Sequence, residues 1–293
     1  MKNKAENAKR LGIFLLFAFG LSWIPWIIMN KVWGYQEWFG TAHYQFFSAL
    51  SLYGPALASI LTRLVTKEGF ADMKLHLRLN GHIREYLTAW LLPVIAALIA
   101  GLLGTCLFGD WNGSGLLAEQ GFTGLTLVSL LIQSLFTAPL MAFVTFGEEF
   151  GWRGYMNDRM KPLFGRTGTV ILGGMIWGIW HAPLTVEGHN FGLDYAGFPY
   201  TGFLMMMLFC TTVGTLLMWL TEKTGSVYPA AICHAMINFG CQYFRDLFVY
   251  GVSPDAEIPA VKTFFAAELP LLIVSAAFLI PLLMRRKEAA SAN

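Results

Sequence analysis

Three short stretches of this 293-residue chain carry groups able to move protons or hold an ion. Gly147-Glu148-Glu149-Phe150-Gly151-Trp152-Arg153 closes one apolar run, and Trp177-Gly178-Ile179-Trp180-His181-Ala182-Pro183 ends a second. Cys233-His234-Ala235-Met236-Ile237-Asn238 lies inside a third. Ionisable groups are costly within hydrocarbon, so each is a functional candidate unless a partner explains it. A carboxylate lifted out of bulk water is a stronger base, suited to taking a proton from water, which makes Glu148 the candidate base. His181 can hold the same water from its other side. His234 and Asn238 can donate hydrogen bonds to the oxyanion of a tetrahedral intermediate, a contribution worth most in a dry site. No serine or cysteine is obviously paired with a base, so activated water is the expected nucleophile. Glu148, His181 and His234 could instead ligate zinc, since Glu/His/His is a known catalytic zinc set, although the signature HExxH is absent. Zinc is therefore left open as a cofactor.

Helical spacing sorts these groups further. Glu149 and Arg153 are four residues apart, share a helix face and can form an ion pair. Glu148 is rotated by about 100° and points elsewhere. His234 and Asn238, also four apart, present an imidazole and an amide to one side. If the chain turns back at Lys161–Arg166, Glu148 lies about 13 residues before the turn and His181 about 15 after it. At ~1.5 Å per residue, both sit roughly 20 Å from one edge. His234, about 9 residues beyond the Lys223–Gly225 turn, sits roughly 14 Å deep. Each residue also has a plainer reading: Glu149 as the counter-ion of Arg153, and each histidine or Asn238 as a hydrogen bond between helices.

The elements that must position these groups are apolar. Hydrophobic residues make up 56% of the chain and charged residues only 13%, against about a quarter charged in soluble domains. The apolar residues fall in runs near 11–29, 43–65, 86–108, 123–147, 168–184, 199–220, 226–243 and 262–284. Each is close to the roughly 20 residues that cross a bilayer as helix. The expectation is an all-α, polytopic integral membrane protein of about eight transmembrane helices, a single domain over 1–293, with both termini cytoplasmic. The first run follows Lys2, Lys4, Lys9 and Arg10 but is long, ends in bulky Trp23, Pro25 and Trp26, and reads as a retained span rather than a signal peptide. Of the 20 Lys and Arg, this layout leaves only Lys31, Arg245 and Lys262 outside, as the positive-inside rule asks. Segment 67–85 mixes charges with Phe70, Met73, Leu75, Leu77 and Leu79 in neither helix nor strand period, which suits a place at the membrane surface. Net charge is only +2, which gives no reason to expect nucleic acid. Cys106, Cys210, Cys233 and Cys241 lie in apolar runs with no CxxC pair and read as small buried hydrophobes.

Glu148-Glu149-x-x-x-Arg153, Trp177-x-x-x-His181 and His234-x-x-x-Asn238, in that order on successive helices, resemble the CAAX protease and bacteriocin-processing family. This family of intramembrane proteases, also called CPBP or Abi, includes the type II CAAX prenyl endopeptidases. The resemblance covers a motif-bearing core of about 123–243. It implies a helical fold with a cavity open to the cytoplasm and cleavage of a peptide bond in a peptide or protein substrate, membrane-associated or not. Glu148 and His181 would activate water, His234 and Asn238 would be the oxyanion donors, and Glu149 and Arg153 would shape the site. The family leaves a glutamate-only and a metal-dependent mechanism open. It points to a multi-pass protein of a bacterial cell membrane, in contact with the bilayer, whose substrate need not be prenylated. Trp177 departs from the phenylalanine common in the family; an aromatic packing role survives, and cavity shape is what would change. Two other functions compete with an intramembrane peptidase: a proton-coupled transporter, although no internal repeat is visible, and a catalytically silent membrane scaffold or immunity protein.

Overall fold

A computed structural model describes residues 2–33, 41–108, 124–193, 195–241 and 273. Every regular element among them is helical, the form in which an apolar segment satisfies its own backbone groups. Helix α1 (Lys2–Trp33) is followed by α2 (Ala42–Leu52) and α3 (Gly54–Thr66), which meet at a 43° bend. Pro55 sits at the start of α3, where its missing N–H costs nothing. Next come α4 (Ile83–Phe108), α5 (Gly124–Thr137), a 3-10 turn (Ala138–Met141), α6 (Ala142–Gly151) and a π turn (Trp152–Met156). Helix α7 (Asn157–Trp180) follows, then the short α8 (Ala182–Thr185), α9 (Tyr200–Thr224), α10 (Tyr228–Ala235) and a second π turn (Met236–Gly240).

Helix α7 is two helices broken at Gly165, whose φ of 68° is open to glycine and strained for other residues. The break is a reversal. The Trp177 indole donates to Glu148, 29 residues earlier, whereas an unbroken helix of that length would hold them roughly 40 Å apart. The expected turn at Lys161–Arg166 is thus realised at Gly165. A second left-handed glycine, Gly225 (φ 64°), ends α9.

Among the described residues three helical stretches, Lys4–Val32, Leu131–Trp180 and Tyr200–Thr224, are long and apolar enough to cross a membrane, and the bent pair α2–α3 makes a fourth if counted as one span. The Leu131–Trp180 stretch contains the Gly165 reversal. Each expected span from 11–29 to 226–243 falls mainly on helix; the eighth, 262–284, apart from residue 273, and the basic tail lie outside the described residues. Leu16, Leu125, Leu140 and Leu204 face outward, which suits hydrocarbon rather than water.

The core is aromatic. Trp26, Trp152, Trp177, Trp180, Tyr155 and Phe14 are among the largest fully buried side chains. Trp180 packs edge-on to Trp26 at 4.7 Å and to Trp152 at 5.7 Å between ring centroids. Helix α1 lies against α2, α3 and α7, α6 against α3 and α10, and α7 against α9. Glycine lets these helices touch backbone to backbone. A Cβ at Gly147 or Gly151 would run into Leu52–Pro55, and one at Gly174 or Gly178 into Thr211 or Met207 of α9.

Charged side chains gather at one edge. Glu68 accepts from Arg10 Nε at 3.0 Å and Arg159 Nη2 at 2.9 Å. Asp72 pairs with Arg63 and, at 3.0 Å, with Arg159. Lys161 and Arg166 both pair with Glu222. The start of α1, the segment after α3, the Gly165 reversal and the end of α9 therefore share one face of the molecule. The sequence put all of these basic residues on the cytoplasmic side.

Candidate active site

Glu148 and Glu149 occupy the last turn of α6, where the helix seats on α3 through Gly147 and Gly151. The π turn that follows carries Arg153. One extra residue per turn re-aims side chains, and such turns recur at functional sites. Arg153 Nη1 donates to Glu149 Oε1 at 3.0 Å, so the expected i,i+4 pair forms. Both residues are buried.

Glu148 points to the other side, also as expected. Its Oε2 accepts a 2.7 Å hydrogen bond from Trp177 Nε1. Among the described residues its Oε1 has no hydrogen-bond partner. One turn beyond Trp177, His181 caps α7. Its Nδ1 lies 2.8 Å from the Trp177 carbonyl. A carbonyl only accepts, so Nδ1 carries the proton and Nε2 keeps its lone pair. His181 Nε2 is likewise without a hydrogen bond among the described residues. The carbonyl of Trp180, just before His181, accepts from Trp23 Nε1 at 2.9 Å, and that of Pro183 from Asn30 Nδ2 at 3.3 Å, so α1 fixes this corner of the chain.

His234 on α10 reaches Glu149 rather than Glu148. Its Nδ1 is 2.9 Å from Glu149 Oε1, and its Nε2 is 3.1 Å from Asn238 Nδ2. Glu149 accepts, so His234 Nδ1 donates and Nε2 accepts from the amide. Both His234 ring nitrogens are thus engaged, one by Glu149 and one by the Asn238 amide. Only one Asn238 N–H is used this way. Arg153, Glu149, His234 and Asn238 thus form one relay, with a buried guanidinium at one end and an exposed amide at the other. Thr145 Oγ1, bonded to the Ala231 carbonyl at 2.7 Å, ties α6 to α10 beside it.

Trp177 joins the two halves. It lies under the Arg153 guanidinium, 4.0 Å from Cζ to ring centroid, and edge-on to His234 at 5.3 Å. All seven sequence candidates therefore meet in one region, Glu148, Trp177 and His181 on one side and Glu149, Arg153, His234 and Asn238 on the other. Sequence reasoning gave Trp177 only a packing role and gave Glu149 no contact with His234. Lys74 was missed altogether: its Nζ lies 2.6 Å from Asp158 and 3.3 Å from the Arg153 carbonyl, at the foot of the site.

These positions bear on the zinc reading. Both His234 ring nitrogens are already engaged, and one Glu148 oxygen is taken by Trp177. Among the described residues no three His, Cys, Asp or Glu side chains are grouped to hold a metal ion. As they lie, Glu148, His181 and His234 do not fit a three-ligand set.

Residues 129–240 match the family model described as type II CAAX prenyl endopeptidase Rce1-like. The motif-bearing core is similar to that family. The resemblance read from the three motifs is borne out, and the match holds every candidate residue. Similar curated proteins include lysostaphin resistance protein A of Staphylococcus epidermidis, 29% identical over 63% of this chain and 44% of that protein. The protein of the same name from Staphylococcus haemolyticus is 27% identical over 51% of this chain and 36% of its own length. CAAX prenyl protease 2 of Methanococcus maripaludis is 26% identical over 50% of this chain and 54% of its own. The chain thus spans about half or less of the relatives it matches.

Proposed function

We propose that this protein is an intramembrane endopeptidase with about eight spans and both ends in the cytoplasm, hydrolysing a peptide bond without a metal ion. The observation that carries this reading is the pair of acceptors unengaged among the described residues, Glu148 Oε1 and His181 Nε2, both anchored to Trp177, whose ring borders the His234 that holds the Asn238 amide. Glu148 Oε1 takes a proton from a water that His181 Nε2 aligns, and the resulting hydroxide attacks the substrate carbonyl. The oxyanion accepts the free Asn238 N–H. Collapse breaks the C–N bond, and Glu148 returns its proton to the leaving amine. Similarity to CAAX prenyl protease 2 supports a peptide or protein substrate.

The test is turnover of a peptide panel by the purified protein in liposomes, read by mass spectrometry. Glu148→Ala and His181→Ala are each expected to lower cleavage by about 10²–10⁴-fold, the usual span for a general base and its partner. A chelator is expected to leave the wild-type rate unchanged. Equal turnover by all three proteins removes the peptidase reading, and chelator loss restored by zinc removes its metal-free form. Relatives named for lysostaphin resistance rather than proteolysis favour a second reading, a silent membrane scaffold. A cellular phenotype that survives substitution of Glu148, His181, His234 and Asn238 would support it.

A further inference from the structure

A buried aromatic residue beside a catalytic carboxylate is ordinarily packing, and a phenylalanine would serve. Trp177 is 1% exposed and its ring is held on several sides: by the Arg153 guanidinium over its face, His234 at its edge and His181 one turn on. What distinguishes indole from benzene here is one N–H, and it is spent on Glu148 Oε2 at 2.7 Å. Glu148 has three rotatable side-chain bonds and, among the described residues, no other hydrogen bond to fix them. The backbone of Trp177 also sets His181, whose Nδ1 donates to its carbonyl. Any residue could supply that carbonyl. No phenylalanine could supply the indole donor.

We propose that Trp177 is a positioning residue whose indole N–H occupies Glu148 Oε2 and so presents Oε1 as the one basic atom that meets water. The proposal rests on the peptidase reading above. With the N–H removed, Oε2 is a buried acceptor with nothing to accept from, and the carboxylate turns among several orientations of which few are productive. The loss falls on the chemical step rather than on substrate binding.

Two replacements at position 177 separate shape from hydrogen bonding. Trp177→Phe keeps an aromatic ring, and the sulfur isostere β-(3-benzothienyl)alanine, placed by codon suppression, keeps the whole bicyclic outline without the N–H. Both are expected to lower kcat about tenfold or more, the effect of one hydrogen bond to a charged group. KM is expected to stay within about twofold and the melting temperature of the isostere to stay close to wild type. An isostere that keeps full kcat overturns the proposal. A readout independent of activity comes from indole ¹H–¹⁵N correlation spectra, in which the cross-peak absent from Trp177→Phe identifies residue 177. Its displacement in Glu148→Ala supports the contact, and an unmoved peak overturns it. Failure of the peptidase reading shows separately, as turnover that survives Glu148→Ala whatever the indole peak does.

Discussion

Glu149 takes hydrogen bonds from Arg153 and His234 on the same oxygen, Oε1, while its Oε2 is enclosed without a partner. A buried carboxylate in this position depends on its guanidinium, and deleting one member of such a pair typically costs about 3–5 kcal/mol. Arg153→Met is therefore expected to lower Tm in detergent sharply. Arg153→Lys is expected to recover part of the loss, keeping the charge but not the flat stacking on Trp177; equal Tm for all three proteins would show the pair to be inconsequential. The sequence made the Glu149–Arg153 pair legible because both ends sit on one helix at a fixed spacing. It could not reveal Glu149–His234, whose members are 85 residues apart on different helices. Nor did it expose the donor role of Trp177, because an aromatic residue at helical spacing reads first as core.

The elements around the site were legible in kind but not in detail. Apolar runs became helices, yet nothing in the runs marked the π turns at Trp152–Met156 and Met236–Gly240. Such turns answer to tertiary fit rather than to local preference. Segment 67–85 showed no period because residues 67–82 form no regular helix or strand. Ion pairs and the Val227 N–H, which donates to the Lys74 carbonyl at 3.1 Å, hold it beneath the site. Burial alone raises the Asp72 carboxyl, but hydrogen bonds and charge from Arg63 and Arg159 more than reverse this and hold it below the usual carboxylate range. A carboxylate depressed in the folded state stabilises above its unfolded pKa, about 3.9, and stops doing so as pH falls through the lower folded value. Asp72→Asn is therefore expected to melt below wild type at neutral pH, with the gap closing on acidification below about pH 4. A gap that persists there would assign the effect to packing.

At the scale of the whole molecule, the distribution of Lys and Arg was the most informative signal in the sequence. Arg10, Arg63, Lys74, Arg159, Lys161 and Arg166 do gather at one edge, where they pair with Glu68, Asp72, Asp158 and Glu222. The proposed orientation makes this edge cytoplasmic. In a chain with its native cysteines replaced, Lys223→Cys is expected to react with an impermeant maleimide only from the cytoplasmic side, and Asn190→Cys only from the opposite side. Labelling of both from one side would overturn that topology. The seating of α6 on α3 and of α7 on α9 through Gly147, Gly151, Gly174 and Gly178 has a mechanical consequence. With main chain resting on main chain, there is no compressible cushion between α6 and α3 or between α7 and α9. Their spacing is set by hard stops, so drift in the surrounding lipid-facing residues can proceed without retuning either gap.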